Sequence, residues 1–133
     1  MSLNEYLAVL NCNLSNFQNL GVADLVEFTS ELREGQRCIV RAKVVFVDGS
    51  IFYLKEFISA RYGSDRLSYS YHYQAENGFL NFRYDNAEHK PKLDFQEHKH
   101  LADFSIIQHP APSIESLINE ILSYFDDDNS GTN

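Results

Sequence analysis

Apolar residues recur at helical spacing near both ends of the chain. The first set predicts a helix over residues 4–20, and its members are Tyr6, Leu7, Val9, Leu10, Leu14 and Phe17. Near the other end, Ser113 is a favourable helix N-cap. It precedes a second amphipathic stripe, formed by Ile114, Leu117, Ile118, Ile121, Leu122 and Phe125. The pattern therefore predicts an N-terminal and a C-terminal helix, each with one apolar face.

Between these helices, β-branched and aromatic residues alternate with polar ones, which favours strands. Five strands are predicted, over residues 22–32, 37–47, 51–58, 66–74 and 79–85. The first run is also compatible with a helix, but the turn-forming Arg33-Glu34-Gly35-Gln36 segment after it favours a strand. We expect an α+β fold, in which a twisted antiparallel β-meander of about five strands has the N-terminal and C-terminal helices packed on the sheet.

Two Gly-containing dipeptides, Asp48-Gly49 and Asn77-Gly78, predict hairpin turns and set the register. A two-residue turn at the first would place Arg41 opposite Glu56, as a cross-strand ion pair. The second turn predicts four pairs, which are Tyr73–Phe82, His72–Arg83, Tyr71–Tyr84 and Ser70–Asp85. One face of this hairpin is therefore aromatic and suited to core packing, although the tyrosines could instead stack RNA bases.

Length and charge limit the classes of protein that fit. The 133 residues suit one α+β domain over residues 1–125, followed by an acidic and disordered tail over residues 126–133. A net charge of -8 argues against broad electrostatic capture of nucleic acid. The N-terminus has no basic segment followed by a long apolar run, and no stretch is long enough to span a membrane, so we expect a cytoplasmic protein.

The segment from Arg83 to His100 is the strongest functional signal. It holds three of the five histidines, and the candidate catalytic residues are Arg83, Asp85, His89, His98, Lys99 and His100. Imidazole exchanges protons near neutral pH, and Arg or Lys can hold a phosphate. These groups are what metal-free RNA cleavage requires, namely a base, an acid and a cation. His98 and His100 share a face only if the backbone is extended.

Simpler interpretations of this segment stay open. Arg83 and Asp85 could pair with each other or with His72, and acidic neighbours balance the cations, as on a solvated surface. A metal site would use Asp85, His89, His98 and His100, but the spacing is not that of a zinc motif, so no metal or other cofactor is expected. A metal-dependent hydrolase and a non-enzymatic protein-binding module are the alternative functions.

Several segments together resemble the TumE-type family of bacterial toxin–antitoxin proteins. They are Asp48-Gly49-Ser50, the alternating Tyr69, Tyr71 and Tyr73, the run from Phe82 through Ala87 with His89, and His98-Lys99-His100. The resemblance extends over about residues 4–122. It implies a small cytoplasmic toxin that is neutralised by a cognate antitoxin, often one with a helix-turn-helix domain. A ribonuclease activity, with RNA as a possible partner, is inferred from the side chains alone.

Overall fold

In a computed structural model of the chain, which describes residues 1–88 and 90–130, a seven-stranded sheet is flanked by two helices. The elements follow the chain in this order: α1 (Leu3–Asn19), β1 (Ala23–Arg33), β2 (Arg37–Phe46), β3 (Ile51–Ser59), β4 (Asp65–Gln74), β5 (Leu80–Asp85), β6 (His98–Leu101), β7 (Ile106–Gln108) and α2 (Ile114–Ser130). Every strand pairs antiparallel with the next one, so the sheet order is the sequence order. The α+β meander is thus confirmed.

Both predicted helices are present, and a serine caps the N-terminus of each, Ser113 at α2 as predicted and Ser2 at α1. The Ser2 hydroxyl accepts a hydrogen bond from the Glu5 amide at 3.1 Å, and the Ser113 hydroxyl accepts one from the Ser116 amide at 3.1 Å. Each hydroxyl therefore satisfies an amide that has no partner within the helix.

One face of the sheet and both helices form a single hydrophobic core. Strands β2 and β3 alternate buried and more exposed positions, as a sheet covered on one side does. The aromatic rings of Phe17 and Phe46 lie edge to face at 5.0 Å, and Phe46 also contacts Tyr73 and Phe125. We call the opposite side of the sheet the open face.

The predicted number of strands is wrong, because the sheet has seven and not five. The two additional strands, β6 and β7, have four and three residues. Strands this short show too few alternations for the period of two to be visible in the sequence. They extend the sheet beyond β5, which the sequence predicts to be the last strand.

The predicted register of the first hairpin is also wrong, by one residue. Its loop has three residues, Val47 to Gly49, and is closed by a hydrogen bond from the Phe46 amide to the Ser50 carbonyl at 2.9 Å, so Arg41 lies opposite Lys55. Glu56 then moves to the buried face, because a shift of one residue exchanges the two faces of a strand. The four predicted pairs of the second hairpin are confirmed.

Glu56 is buried beneath helix α1 and joins several elements. Its Oε1 accepts a hydrogen bond from the Tyr6 hydroxyl at 2.5 Å, and its Oε2 accepts one from the Tyr71 hydroxyl. Arg66 donates to the Tyr71 oxygen at 2.7 Å and to the Pro112 carbonyl at 3.0 Å. Burial raises the pKa of both tyrosines and the nearby carboxylate raises it further, so their hydroxyls stay protonated and donate to Glu56.

Helix α2 continues to Ser130, past the end of the predicted domain at residue 125. Residues 131–133 lie outside the described part of the chain. The single domain and the disordered tail stay predictions. Of the two helices in residues 1–88 and 90–130, neither is long and apolar enough to cross a membrane.

Candidate active site

Strand β6 brings the histidine-rich segment onto strand β5. His98 lies opposite Asp85, and His100 lies opposite Arg83. Since alternate residues of a strand point to the same side, all four side chains lie on the open face, and the two imidazole rings are 4.9 Å apart. We call these four residues the Asp85 cluster.

The Asp85 carboxylate is the centre of this cluster, and its side chain is only 6 % exposed. Oδ1 accepts a hydrogen bond from the Ala87 amide at 3.0 Å and lies 3.0 Å from His98 Nε2. Oδ2 accepts one from Arg83 Nε at 2.9 Å and lies 3.5 Å from His100 Nε2. Donors therefore surround both oxygens, which compensates for the burial of a charged group.

His98 fixes Asp85 and is itself enclosed. Its side chain is 2 % exposed, and its Nδ1 donates to the Gln96 carbonyl at 2.7 Å, since a carbonyl can only accept. Its other nitrogen faces Asp85. Because the side chain is enclosed and both nitrogens are engaged, His98 is suited to position Asp85 and not to contact a substrate on the open face.

The accessible groups of the cluster are Arg83 and His100, whose side chains are 39 % and 23 % exposed. A third accessible group, His72, lies on β4 directly opposite Arg83. Arg83 Nη1 lies 3.4 Å from His72 Nδ1 and can only donate, so Nδ1 is the acceptor of this imidazole. The proton is then on Nε2, which donates to Gln74 Oε1 at 2.9 Å. Two imidazoles therefore flank one guanidinium in a row across three adjacent strands.

His72 is the residue that sequence reasoning did not include in the site. The sequence does contain a signal for His72, because the predicted register of the second hairpin places it opposite Arg83. The local density of histidines between residues 83 and 100 favoured that segment over a single histidine on another strand.

Lys99 does not join the Asp85 cluster. It lies on the helix-covered side, where Nζ donates to Glu120 Oε2 at 2.7 Å and lies 4.8 Å from the centre of the Tyr84 ring. Burial lowers the pKa of Lys99, but its hydrogen bonds to Glu120 and Tyr84 raise it by more, and the net shift is upward. His89, another predicted site residue, lies outside the described residues.

Side-chain hydrogen bonds join the end of the segment between β5 and β6 to its beginning, to strand β4 and to the loop before α2. Gln96 Nε2 donates to the Asn86 carbonyl at 3.2 Å, and Glu97 Oε2 accepts from the Tyr69 hydroxyl at 2.9 Å and from the Ala111 amide at 3.1 Å. The burial of Tyr69 and its bond to Glu97 raise the pKa of this hydroxyl. These contacts hold β6 against β5, on which the geometry of the Asp85 cluster depends.

A metal ion is also compatible with part of the cluster. Asp85, His98 and His100 each present one possible ligand atom, a carboxylate oxygen or an imidazole nitrogen, and these three atoms lie within 4.8 Å of one another. Two imidazoles and a carboxylate are a common ligand set for divalent transition metals. In the arrangement described here, however, Arg83 is bonded to Oδ2 of the same carboxylate.

The comparisons with known proteins give one result. The family model described as toxin TumE matches residues 16–129. The chain belongs to the TumE toxin family. The match covers most of the chain, including both hairpins and the Asp85 cluster, and it confirms the resemblance seen in the sequence. No curated protein and no solved structure matches the chain.

Membership in the TumE family supports the predicted role as the toxin component of a toxin–antitoxin system, and it implies a cognate antitoxin as partner. The family match does not assign a reaction or name catalytic residues.

Proposed function

We propose that this protein is a metal-independent ribonuclease toxin that cleaves RNA on the open face. The observation that carries the proposal is the row His72–Arg83–His100 across β4, β5 and β6. Neighbouring strands are about 4.8 Å apart, so the α-carbons of the two histidines lie roughly 10 Å apart, with the guanidinium between them. A phosphodiester held by Arg83 would have one imidazole on each side.

The reaction we propose is an internal transfer of the phosphoryl group. The RNA 2′-hydroxyl gives its proton to Nδ1 of His72, which Arg83 Nη1 releases when it turns to the phosphate. The 2′-oxygen attacks the adjacent phosphorus, while the bond from phosphorus to the 5′-oxygen breaks. His100 gives a proton to the leaving 5′-oxygen, and the products are a 2′,3′-cyclic phosphate and a 5′-hydroxyl. Arg83 offsets the charge that builds up on phosphorus, and Asp85 orients His100 and offsets its positive charge when it is protonated.

The position of Arg83 favours a reaction without metal. Its Nε is 2.9 Å from Asp85 Oδ2, so the guanidinium already occupies the place beside this carboxylate that a divalent cation would take. Two positive groups on one oxygen repel each other, and the repulsion is strong where water is scarce. Arg83 would have to move away before a metal could bind.

The direct test of the function is incubation of the purified protein with RNA in the presence of a chelator. We expect cleavage to continue and the products to carry 2′,3′-cyclic phosphate ends, measured by mass spectrometry. Intact RNA both with and without metal, together with a co-purifying partner, would contradict the proposal and favour the non-enzymatic binding module.

A metal-dependent hydrolase is the second candidate, because Asp85, His98 and His100 can present three ligand atoms to one ion. The same experiment separates the two mechanisms. Loss of cleavage with the chelator, and its recovery on addition of a divalent transition metal, would replace the metal-free mechanism by this one.

The partner in this proposal is an antitoxin with a helix-turn-helix domain, and we place the toxin in the cytoplasm, where RNA and the antitoxin are found. A gene for such a small DNA-binding protein beside this one would support the assignment. Co-expression of the two proteins should then suppress the inhibition of growth and give a complex that co-purifies.

Lys99→Met and Arg83→Gln form a matched pair, because each removes one cation from the same part of the sheet, on opposite faces. We expect Lys99→Met to leave the cleavage rate within about twofold and to lower the free energy of unfolding by about 1 kcal/mol, through loss of the bond to Glu120. Arg83→Gln is expected to lower the cleavage rate about 10²-fold or more. Cleavage assays and urea unfolding measure both effects.

An equal loss of rate in the two variants would contradict this assignment. It would mean that Lys99 acts on the substrate from the helix-covered side, and that the reaction does not take place on the open face.

A further inference from the structure

Two rows of polar side chains cross the open face next to each other. The first row, from β1 to β6, consists of Thr29, Arg41, Lys55, Ser70, Asp85 and His98. The second row consists of Glu27, Lys43, Tyr53, His72, Arg83 and His100. Both rows end at the Asp85 cluster, so a ligand that lies along them would reach the candidate catalytic groups.

A concave groove of about 550 Å³ follows these rows from β1 to β5. Its lining includes Arg41, Lys43, Tyr53, Lys55, His72 and Arg83, and among the described residues Glu27 contributes the only carboxylate to this lining. We call it the cationic groove. Four cations beside one acid are a marked concentration of positive charge in a chain whose net charge is -8.

Three of these cations have no ion-pair partner among the described residues. In the described part of the chain, no carboxylate oxygen lies within 4.0 Å of the charged nitrogens of Arg41, Lys43 or Lys55. Arg41 and Lys55 also lie directly opposite each other. Like charges in this position destabilise a sheet, so an anion bound between them would relieve repulsion that the fold otherwise carries.

An aromatic side chain lies among these cations. Tyr53 is 39 % exposed, and its ring lies 5.9 Å from Lys43 Nζ and 6.1 Å from the His72 ring. Exposed aromatic rings beside cations are typical of surfaces that bind single-stranded nucleic acids, because an unpaired base can stack on the ring while the cations hold the phosphates.

We propose that the cationic groove binds one strand of RNA and directs its backbone towards His72, Arg83 and His100. This inference rests on the proposed ribonuclease function and adds its substrate class, which is unpaired RNA. The five strands from β2 to β6 span roughly 19 Å, a length that holds a few nucleotides. Arg41, Lys43 and Lys55 contact phosphates, and Tyr53 stacks a base.

The chemistry at the end of the groove favours RNA over an acidic protein segment. A groove that served only to hold a peptide would not need to lead to two accessible imidazoles on either side of an arginine. Unpaired RNA is favoured over a duplex because stacking on Tyr53 requires an accessible base.

The test measures binding of a short single-stranded 2′-O-methyl RNA by fluorescence anisotropy. The methyl group blocks the attacking hydroxyl, so the full-length parent protein binds this probe without cleaving it. The groove variant Arg41→Gln/Lys55→Gln is compared with the control variant Arg33→Gln/Arg61→Gln, which removes the same charge outside the groove.

We expect the groove variant to bind the probe about tenfold or more weakly. The slope of log K against log salt concentration should also be smaller in magnitude by about 1.4, because each lost phosphate contact to a single strand accounts for roughly 0.7. The control should bind as the parent does. Thermal melting of the groove variant should occur at the same temperature or higher, because a pair of like charges has been removed.

Three results would overturn the proposal. They are failure of the parent to bind the probe, equal weakening in both variants, and loss of antitoxin binding in the groove variant while its RNA binding is unchanged. Binding and cleavage can fail separately in these assays. A parent that binds the probe through the groove but never cuts RNA would refute the proposed function alone, and a groove variant that binds as the parent does would refute this inference alone.

Discussion

His100→Ala is expected to lower the rate of RNA cleavage about 10²- to 10⁴-fold, because the leaving 5′-oxygen would lose its proton donor. The side chain of His100 is 23 % exposed and lies at the surface of the cluster, so we expect the variant to fold. Cleavage by the purified protein gives the rate, and inhibition of growth on expression without the antitoxin gives the effect in cells. Both should fall together.

His109→Ala is the control, since it removes an imidazole from the loop after β7. His109 packs against Tyr84 on the other side of the sheet, and its Nδ1 donates to the Pro110 carbonyl at 2.7 Å. We expect its cleavage rate to stay within about twofold of the parent, well below the 10²-fold loss for a general acid. If His100→Ala remained as active and as growth-inhibitory as His109→Ala, the catalytic assignment of His100 would be lost.

Most of the fold follows from patterns that extend over many residues. The apolar stripes of α1 and α2 are long enough to show helical periodicity, and β2 and β3 show alternation over nine or ten residues. The second hairpin has its predicted register even though a bulge follows Tyr73, because the aromatic residues on both strands must face the core.

The fold elements that could not be predicted are short or depend on a single loop. Strand β6 has a polar sequence, His98-Lys99-His100-Leu101, and it is a strand because β5 and β7 pair with it on both sides. At the first hairpin, Asp48 accepts from the Ser50 amide at 2.9 Å and favours a three-residue loop over a two-residue turn.

The candidate site was predicted in part, and strand geometry explains the difference. Arg83, Asp85, His98 and His100 meet on one face because β6 is extended and pairs with β5. The same extended backbone must turn Lys99 to the opposite face, so three consecutive residues of a strand cannot all belong to one site. The catalytic roles of the residues on the open face stay predictions.

The one-residue change in the first hairpin links the core to the cationic groove. In the two-residue turn that the sequence predicts, Glu56 would neutralise Arg41 on the open face. In the observed register Lys55 is opposite Arg41, and Glu56 is 2 % exposed on the other side. The positive charge of the groove and the buried carboxylate are therefore two consequences of one loop.

Glu56→Ala is expected to lower the free energy of unfolding by about 3–5 kcal/mol, the largest effect on stability that we predict for a single polar side chain. The substitution leaves the hydroxyls of Tyr6 and Tyr71 without their acceptor and removes the negative charge near Arg66, all in partly or fully buried positions. It thereby weakens the contacts of α1 with β3 and β4. Urea unfolding followed by circular dichroism measures the loss.

Two controls test the cause. Glu31→Ala removes a glutamate that forms an ion pair with Arg33 at the surface, where the two side chains are 57 % and 50 % exposed. It should change the free energy of unfolding by less than about 0.5 kcal/mol. Glu56→Gln keeps an acceptor oxygen, so it should be destabilised less than Glu56→Ala. If Glu56→Ala were as stable as Glu31→Ala, Glu56 would have to lie on the open face, and both the observed register and the cationic groove that depends on it would be wrong.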